Sequence, residues 1–282
     1  MKKIGYLGPE GTYSEKAAKS YAGLSYILKP CTTFDSIFEG IITNEVALGV
    51  LPLENSCEGT VVRVLDLLAR NDKVKITGEV VVHVCHHLLG HPGTSLAEVQ
   101  SILSHPQALA QCSGFISKYL SHAKLQEVES TARAASIISE CGPSLAAIGN
   151  DEASSRYNLS KLMTNIQDMA ENYTRFIVIA KEQQIMVETE EYANSRTSLI
   201  LSIVDQPGTL YEILKQLALR GINLTKIESR PARTRLGEYI FFIDLDGHIN
   251  QPQVCEALAE VKKLTVEFRI IGCYAKDKEK SL

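Results

Sequence analysis

Over its first 180 or so residues the chain repeats one design: a short apolar run, a turn rich in Gly, Ser, Thr and Asn, then a helical pattern. Alternation of this kind specifies an α/β fold built on a mostly parallel sheet. The expected strands are Lys3–Leu7, Tyr26–Lys29, Val46–Val50, Lys75–Cys85, Ser101–Leu103, Lys124–Val128, Leu145–Ile148 and Arg175–Ala180. The expected helices are Ser14–Tyr21, Phe34–Thr43, Thr60–Arg70, Gln107–Leu120, Thr131–Cys141 and Asp151–Tyr157. The turns between them are Gly8–Ser14, Glu54–Thr60, Ser104–Gln107 and Ser130–Thr131. In open α/β sheets, ligands bind beyond the carboxyl ends of the strands. Helix N-termini there offer free N–H groups and a positive dipole end, so several converging on one cleft suit an anion.

A polar, acidic stretch, Lys181 to Asn194, reads as a linker. Beyond it, Ser195 to Tyr274 follows the order β-α-β-β-α-β, with strands at Ser198–Val204, Asn223–Ser229, Glu238–Leu245 and Val266–Gly272. Leu210, Ile213, Leu214, Leu217 and Ala218 share one face of the first helix; Val254, Ala257, Leu258 and Val261 share one face of the second. This is a split βαβ, ferredoxin-like pattern. Within it, the run Asp205 to Pro231 has the form of a ligand sensor, which implies an activity upstream to regulate. The tail from Lys276 to Leu282 is charged and expected to fray.

Composition narrows the partners. The net charge is −4 and no block of five basic residues occurs, which argues against nucleic acid and anionic membranes. No apolar stretch approaches the ~20 residues of a membrane span. The N-terminal MKKIGYLGPEG lacks the apolar core of a signal peptide and reads as a first strand. Seven widely spaced cysteines without a C-x-x-C pair imply a reduced, cytoplasmic setting. The cluster His83, Cys85, His86, His87 and His91 invites a zinc reading. Strand alternation divides those side chains between two faces, however, and no second ligand group follows, so no metal is expected. GPEGTYSEK does not have phosphate-loop spacing.

Seven motifs then occur in order: GPEGTYS (Gly8–Ser14), PLENSCEG (Pro52–Gly59), SHPQALAQC (Ser104–Cys112), STARAA (Ser130–Ala135), AAIGN (Ala146–Asn150), NYTRF (Asn172–Phe176) and ESRP (Glu228–Pro231). Together the motifs span nearly the whole chain, which resembles a monofunctional prephenate dehydratase with a C-terminal ACT regulatory domain. The sensor loop Gly208-Thr209-Leu210-Tyr211 departs from the Gly-Ala-Leu more usual there.

The resemblance implies a catalytic domain at 1–182, similar to type II periplasmic binding proteins. Lobe one would hold 1–77 and 174–182, and lobe two 78–160. A linker at 183–194 and an ACT domain at 195–275 follow. It implies decarboxylating dehydration of prephenate to phenylpyruvate without a cofactor. L-phenylalanine would be the feedback inhibitor, and assembly would proceed through ACT pairing to a dimer and on to a tetramer. The chain begins at its first strand, so no fused chorismate mutase helix is expected. Arogenate dehydratase, or a non-catalytic two-lobed anion-binding protein with an amino-acid sensor, would carry much the same motifs.

Aromatisation drives the reaction, so the protein must hold two carboxylates, assist hydroxyl departure and exclude water. The resemblance assigns the essential hydroxyl to Thr174. Arg175 is a candidate for a substrate carboxylate, or for a glutamate of its own lobe. Phe176 is expected to pack beneath the site. Asn55 and Ser56 offer donors at a strand end, with Glu54 to orient them. Thr12, Ser14, Gln107, Ser130 and Thr131 are candidate carboxylate binders at helix starts, where Ser14 and Thr131 read equally well as caps. His105 stands beside Pro106 to polarise the site or cap a helix. For the effector, the candidates are Gly208, Leu210, Asn223, Leu224, Glu228, Ser229 and Arg230, some of them from a partner subunit.

Overall fold

The computed structural model describes residues 1–182, 194–232 and 239–277. In chain order the elements begin β1 (Lys2–Leu7), α1 (Tyr13–Ala22), β2 (Tyr26–Cys31), α2 (Phe34–Ile42), β3 (Leu48–Asn55), β4 (Gly59–Thr60), α3 (Val62–Arg70) and β5 (Val74–His83). There follow β6 (His87–Gly90), a 3-10 turn at Leu96–Glu98, β7 (Ser101–Ser104), α4 (Pro106–Gln111), α5 (Ser113–Tyr119) and β8 (Lys124–Glu127). Next come α6 (Thr131–Ser139), β9 (Leu145–Gly149), α7 (Asp151–Arg156), β10 (Ser160–Met163) and β11 (Tyr173–Lys181). The last elements are β12 (Ser195–Ser202), α8 (Thr209–Ala218), β13 (Leu224–Pro231), β14 (Tyr239–Asp246), α9 (Pro252–Lys263) and β15 (Glu267–Ala275). The expected linker at 183–194, Glu238 and the end of the charged tail lie outside the described residues, apart from Asn194.

The chain divides into two compact units, one of residues 1–37, 50–61 and 81–176, the other of 38–49, 62–80 and 177–282. In the first, β1 and β2 pair in parallel, and a five-stranded sheet runs in the order β10-β6-β9-β7-β8. β7 is parallel to β8 and β9, and β6 is antiparallel to β9. Both faces of this sheet are covered. Leu88, Ile102, Ala146 and Ile148 pack with Leu109, Cys112, Ile116 and Leu120 from α4, α5 and their ends. Their neighbours Leu89, Leu103 and Ala147 pack on the other face with Ala134, Ala135 and Ile138 of α6 and Ala153 of α7. Burial on both faces is why these strands read as unbroken apolar runs rather than alternating ones. Each buried Leu or Ile contributes about 1.5–3 kcal/mol. The helices begin where the parallel strands end. Ser130 Oγ accepts from Arg133 N at the start of α6, and Asn150 Oδ1 accepts from Ala153 N at the start of α7.

Several boundaries differ from expectation: β3 runs past Val50 to Asn55, β12 spans Ser195–Ser202, and β6 and β10 were not expected as strands. The helix expected from Thr60 starts at Val62, because Gly59 and Thr60 pair back onto β3. The helix expected over Gln107–Leu120 is broken at Cys112, where the backbone leaves helical geometry (φ −116°, ψ 15°). The strand expected over Lys75–Cys85 stops at His83, and Val84 N turns to donate to Asn172 O.

In the second unit the C-terminal elements form the expected β-α-β-β-α-β. Its antiparallel sheet runs β13-β14-β12-β15. Helices α8 and α9 share one core with it, including Leu199, Leu201, Ile213, Leu217, Ile243, Leu245, Val254, Ala257 and Val261. Of the expected α8 face, Ile213 and Leu217 are the fully buried members. β15 continues the sheet onto β5 through one parallel pairing, Gly272 with Ile76. Around that junction Lys75 Nζ donates to Ile270 O at 2.7 Å, Arg269 Nη2 donates to Ala69 O at 2.6 Å, and Arg196 pairs with the buried Glu79. The approach requires glycine: a Cβ on Gly272 would stand 2.6 Å from Ile76 O and 2.7 Å from Ile76 Cβ. Gly272→Ala is therefore expected to cost about 1–3 kcal/mol, as overpacking does. A urea titration checks this against Gly142→Ala, whose Cβ would meet nothing within 4 Å and which should move stability by less than about 0.5 kcal/mol.

Candidate active site

A cavity of about 200 Å³ lies within the first unit, lined by Tyr13, Asn55, Val84, His86, His105, Gln107, Ala108, Gln111, Glu129, Ser130, Thr131, Asn172 and Thr174. The lining collects the starts of α4 and α6, the end of β3 and the start of β11. Six expected residues meet there: Asn55, His105, Gln107, Ser130, Thr131 and Thr174. Among the described residues no Lys or Arg lines it. An anion held there would rest on hydroxyls, amides and the free N–H groups of α6.

Asn55 is held on every side. Its Oδ1 accepts from Cys57 N at 2.9 Å and Glu58 N at 3.0 Å, closing the turn after β3. Its Nδ2 donates one hydrogen to Asn172 Oδ1 at 2.8 Å and the other to Thr174 Oγ1 at 2.9 Å. All its hydrogen-bonding positions are used, so the amide cannot turn without losing several bonds. Thr174, 9% exposed and lining the cavity, accepts a hydrogen bond from Asn55, which does not use its own O–H.

The chain of contacts continues. Asn172 Nδ2 donates to Gln111 Oε1 at 3.1 Å, and His86 Nε2 lies 3.0 Å from the same oxygen. Gln111 Nε2 reaches Glu58 Oε1 at 3.3 Å. Gln111 Oε1 can only accept, so His86 must donate from Nε2, and its Nδ1 carries the lone pair. That Nδ1 is buried without a partner. Burial lowers the pKa of His86 below the ordinary histidine value, against the opposing effect of the Gln111 bond. Tyr13 meets His86 edge-on at 6.2 Å and donates to Cys85 O at 2.5 Å; burial holds its phenol far above the usual tyrosine range. His105 both lines the cavity and caps α4, its Nδ1 accepting from Gln107 N at 3.3 Å.

Several expected residues stand outside the lining. Arg175 is buried and its Nε donates to Glu54 Oε1 at 2.7 Å, the glutamate pairing that was one of its two expected roles. Glu54 Oε1 accepts that bond. Thr12 caps α1: its Oγ1 accepts from Glu15 N at 3.3 Å and donates to Pro9 O at 3.0 Å. Ser14 is buried in the first turn of α1. Ser56 clamps the start of β11, its N–H donating to Tyr173 O at 2.8 Å and its Oγ accepting from Tyr173 N at 2.9 Å. Phe176, 2% exposed, packs in the core.

The sequence reading missed His86, Gln111, Asn172, Tyr13 and Glu129. Gln111 and Asn172 lie inside two of the motifs, and their amide side chains were the available signal. His86 was read as one of a chance run on a strand. The strand ends before it, so strand alternation does not place it, and it is buried while His83 is exposed. No group of three or more His, Cys, Asp or Glu able to hold a metal occurs among the described residues.

In the second unit, the effector candidates lie on two stretches. Gly208 precedes α8 with φ +88°, a conformation that favours glycine, and Leu210 is half-buried in the first turn. Asn223 Nδ2 donates to Asp246 Oδ2 at 3.0 Å. On the edge strand β13, Leu224, Glu228 and Arg230 are half-buried and Ser229 is exposed. Arg230 Nε lies 3.6 Å from Asp66 Oδ1 of α3. Tyr211 is exposed, with Lys215 Nζ 5.8 Å from its ring.

A prephenate dehydratase family model matches residues 4–184, and an ACT domain model matches residues 197–263. A prephenate dehydratase of Methanocaldococcus jannaschii is 40% identical over 278 residues, covering 97% of this chain and 98% of its own. The crystal structure of a prephenate dehydratase from Arthrobacter aurescens in complex with L-Phe is similar at a TM-score of 0.89 and 32% identity, over 99% of this chain and 91% of that one. A structure described as a novel type of quorum quenching acylase, GqqA, is similar at a TM-score of 0.87 and 29% identity, over 98% of each chain.

Proposed function

The chain belongs to the prephenate dehydratase family, and from that premise we propose that the Thr174 cavity converts prephenate to phenylpyruvate, water and carbon dioxide. The observation that carries the assignment is the direction of the Asn55–Thr174 hydrogen bond. Because Asn55 donates to Thr174 Oγ1, the threonine hydrogen is left for the leaving hydroxyl of the substrate. A donor fixed in a dry site stabilises charge that develops on that oxygen, at no cost in reorganisation. The carboxylates are held by Ser130, Thr131, Gln107 and the free N–H groups opening α6. Residues 1–182 form the catalytic domain and 195–275 the ACT domain.

L-phenylalanine binds the ACT domain and inhibits. Gly208, Leu210, Asn223, Leu224, Glu228, Ser229 and Arg230 contribute, with ACT domains paired across a homodimer and two dimers forming a tetramer. Among the described residues β13 stands at the edge of its sheet, the position that pairing between subunits would use. Acyl transfer, the activity named for GqqA, finds no support in this cavity. Among the described residues, none of its hydroxyls is hydrogen-bonded to a base, so none is an activated nucleophile.

The test is phenylpyruvate formation from prephenate and, separately, from arogenate, each with and without L-phenylalanine. Turnover of prephenate, lowered by L-phenylalanine, is expected. Turnover of arogenate alone would reassign the substrate, and no turnover of either would refute the enzyme. Activity indifferent to L-phenylalanine would remove the feedback role only.

A further inference from the structure

We propose that Cys85 is a reactive thiol, activated by His83, and that its capping by a small disulfide slows catalysis in the neighbouring cavity. The pair stands outside the cavity lining. His83 ends β5, and its Nε2 lies 3.0 Å from Ala170 O. A carbonyl only accepts, so Nε2 donates and Nδ1 carries the lone pair. Cys85 Sγ lies 3.2 Å from that Nδ1, so the thiol hydrogen is directed at it. The ring also rests against Tyr173, with centroids 4.8 Å apart. Nucleophile, base and the group that orients the base thus stand in sequence, the arrangement of an activated thiol. Both residues reach solvent: His83 is exposed and Cys85 half-buried.

The other cysteines stand in different surroundings. Cys31, Cys112 and Cys273 are buried, and burial pushes the Cys112 thiol up to about 12. Cys57 is half-buried like Cys85, but its sulfur meets Ser56 Oγ at 3.9 Å and Met169 Sδ at 4.0 Å, neither of them a base. Cys141 and Cys255 are exposed, and among the described residues neither sulfur has a base beside it. At pH 7 a free thiol is only a few per cent thiolate, so a base within reach sets Cys85 apart from Cys57, Cys141 and Cys255. The His and Cys run that suggested zinc therefore holds a thiol–imidazole pair and, among the described residues, no metal-binding group.

The exchange balances without a further reactant. The Cys85 proton passes to His83 Nδ1, and the thiolate attacks one sulfur of a low-molecular-weight disulfide. A new S–S bond forms to Cys85 as the old one breaks. The departing thiolate keeps the electron pair of the broken bond and takes the proton from His83. Cys85 is oxidised to a mixed disulfide, one half of the reagent is reduced to a thiol, and an added thiol reverses the step. The cap replaces the hydrogen that faces Nδ1, so the His83 ring must move, and that ring rests on Ala170 O and Tyr173. Tyr173 is clamped to Ser56 and directly precedes Thr174. On either side of Cys85, Val84 and His86 line the cavity, and Cys85 O accepts the O–H of Tyr13 at 2.5 Å. Movement at Cys85 is thereby passed to the cavity wall.

The experiment treats the full chain with oxidised glutathione at pH 7 and follows each cysteine by mass spectrometry, with phenylpyruvate formation measured on the same samples. Cys85 is expected to be capped about tenfold or more faster than Cys57, Cys141 and Cys255. His83→Gln should slow Cys85 by a similar factor and leave Cys141 and Cys255 unchanged. The wild-type comparison needs no variant to fold, and His83→Asn repeats the second arm if the glutamine variant does not. Capped wild type should lose about tenfold or more in kcat and regain it with dithiothreitol, while Cys85→Ser stays active throughout. Equal capping rates among the accessible cysteines overturn the proposal, and so does an unslowed Cys85 in His83→Gln. Full activity of protein capped at Cys85 overturns the control of catalysis. That last arm rests on the prephenate reading; no prephenate turnover before capping would refute that reading, while the capping rates still decide the thiol.

Discussion

Thr174→Ala is expected to lower kcat by about 10²–10³, or roughly 2.7–4 kcal/mol of transition-state stabilisation, while KM moves far less. The asymmetry follows from what the hydroxyl does. In the proposed role it donates to an oxygen whose negative charge grows as the C–O bond breaks, so its contribution would be made mainly in the transition state. Thr174→Val, which keeps the shape and loses the hydroxyl, should be as slow as the alanine variant. Thr174→Ser should retain most of the activity. Asn55→Asp supplies an independent check. An aspartate accepts hydrogen bonds and cannot donate to Thr174 Oγ1, so the threonine hydrogen would turn away from the cavity toward the carboxylate. A loss comparable to that of Thr174→Ala is expected, measured as single-turnover phenylpyruvate formation. Near-normal kcat in Thr174→Ala would remove Thr174 from the chemistry.

The regular elements were legible because each rests on a local pattern. The apolar runs Ser101–Ser104 and Leu145–Gly149 are buried on both faces, and the α9 face of Val254, Ala257, Leu258 and Val261 is buried as its spacing requires. What the pattern could not show depends on distant partners. The break between α4 and α5 is fixed by Asp168, whose carboxylate accepts from Gly114 N at 3.1 Å and Ser113 Oγ at 3.0 Å across more than fifty residues of chain. Within Gln107–Leu120 the Ser113-Gly114 pair is the one local hint of it.

The site divides in the same way. Asn55, Gln107, Ser130 and Thr131 were legible as polar residues in turns that precede helices, and Thr174 through its motif. Arg175 illustrates the converse. A cation set at the head of the buried run Phe176–Ala180 needs a partner close by, and Glu54 supplies it. His86 lies where the chain leaves β5. Its position is set by backbone bonds of Val84 to Asn172 and of His86 to Gln167, neither of which spacing along the sequence reveals.

Asp66→Ala is expected to uncouple L-phenylalanine from catalysis, raising the concentration for half-inhibition by about 5–150-fold, the usual range of an allosteric coupling, with activity in its absence little changed. An effector acts only through contacts that differ between the active and inhibited states. Arg230 lies in the ESRP run on β13, proposed above to contribute to the effector site, and its Nε stands 3.6 Å from Oδ1 of Asp66, whose side chain is 12% exposed. Asp66 sits on α3, which follows β4 directly in the chain and so continues the turn that Asn55 organises. In the proposed effector site a carboxylate of the amino acid would compete with Asp66 for that guanidinium, and the competition would be the differential contact. Without Asp66 the effector meets an uncontested Arg230. Its binding, followed by calorimetry, should be retained or tightened, even as its effect on kcat/KM is lost. Arg230→Ala should weaken both, which separates a binding group from a coupling group. Undiminished inhibition in Asp66→Ala would mean that the signal leaves the ACT domain by another route, for which the Arg196–Glu79 pair beside β5 is the next candidate.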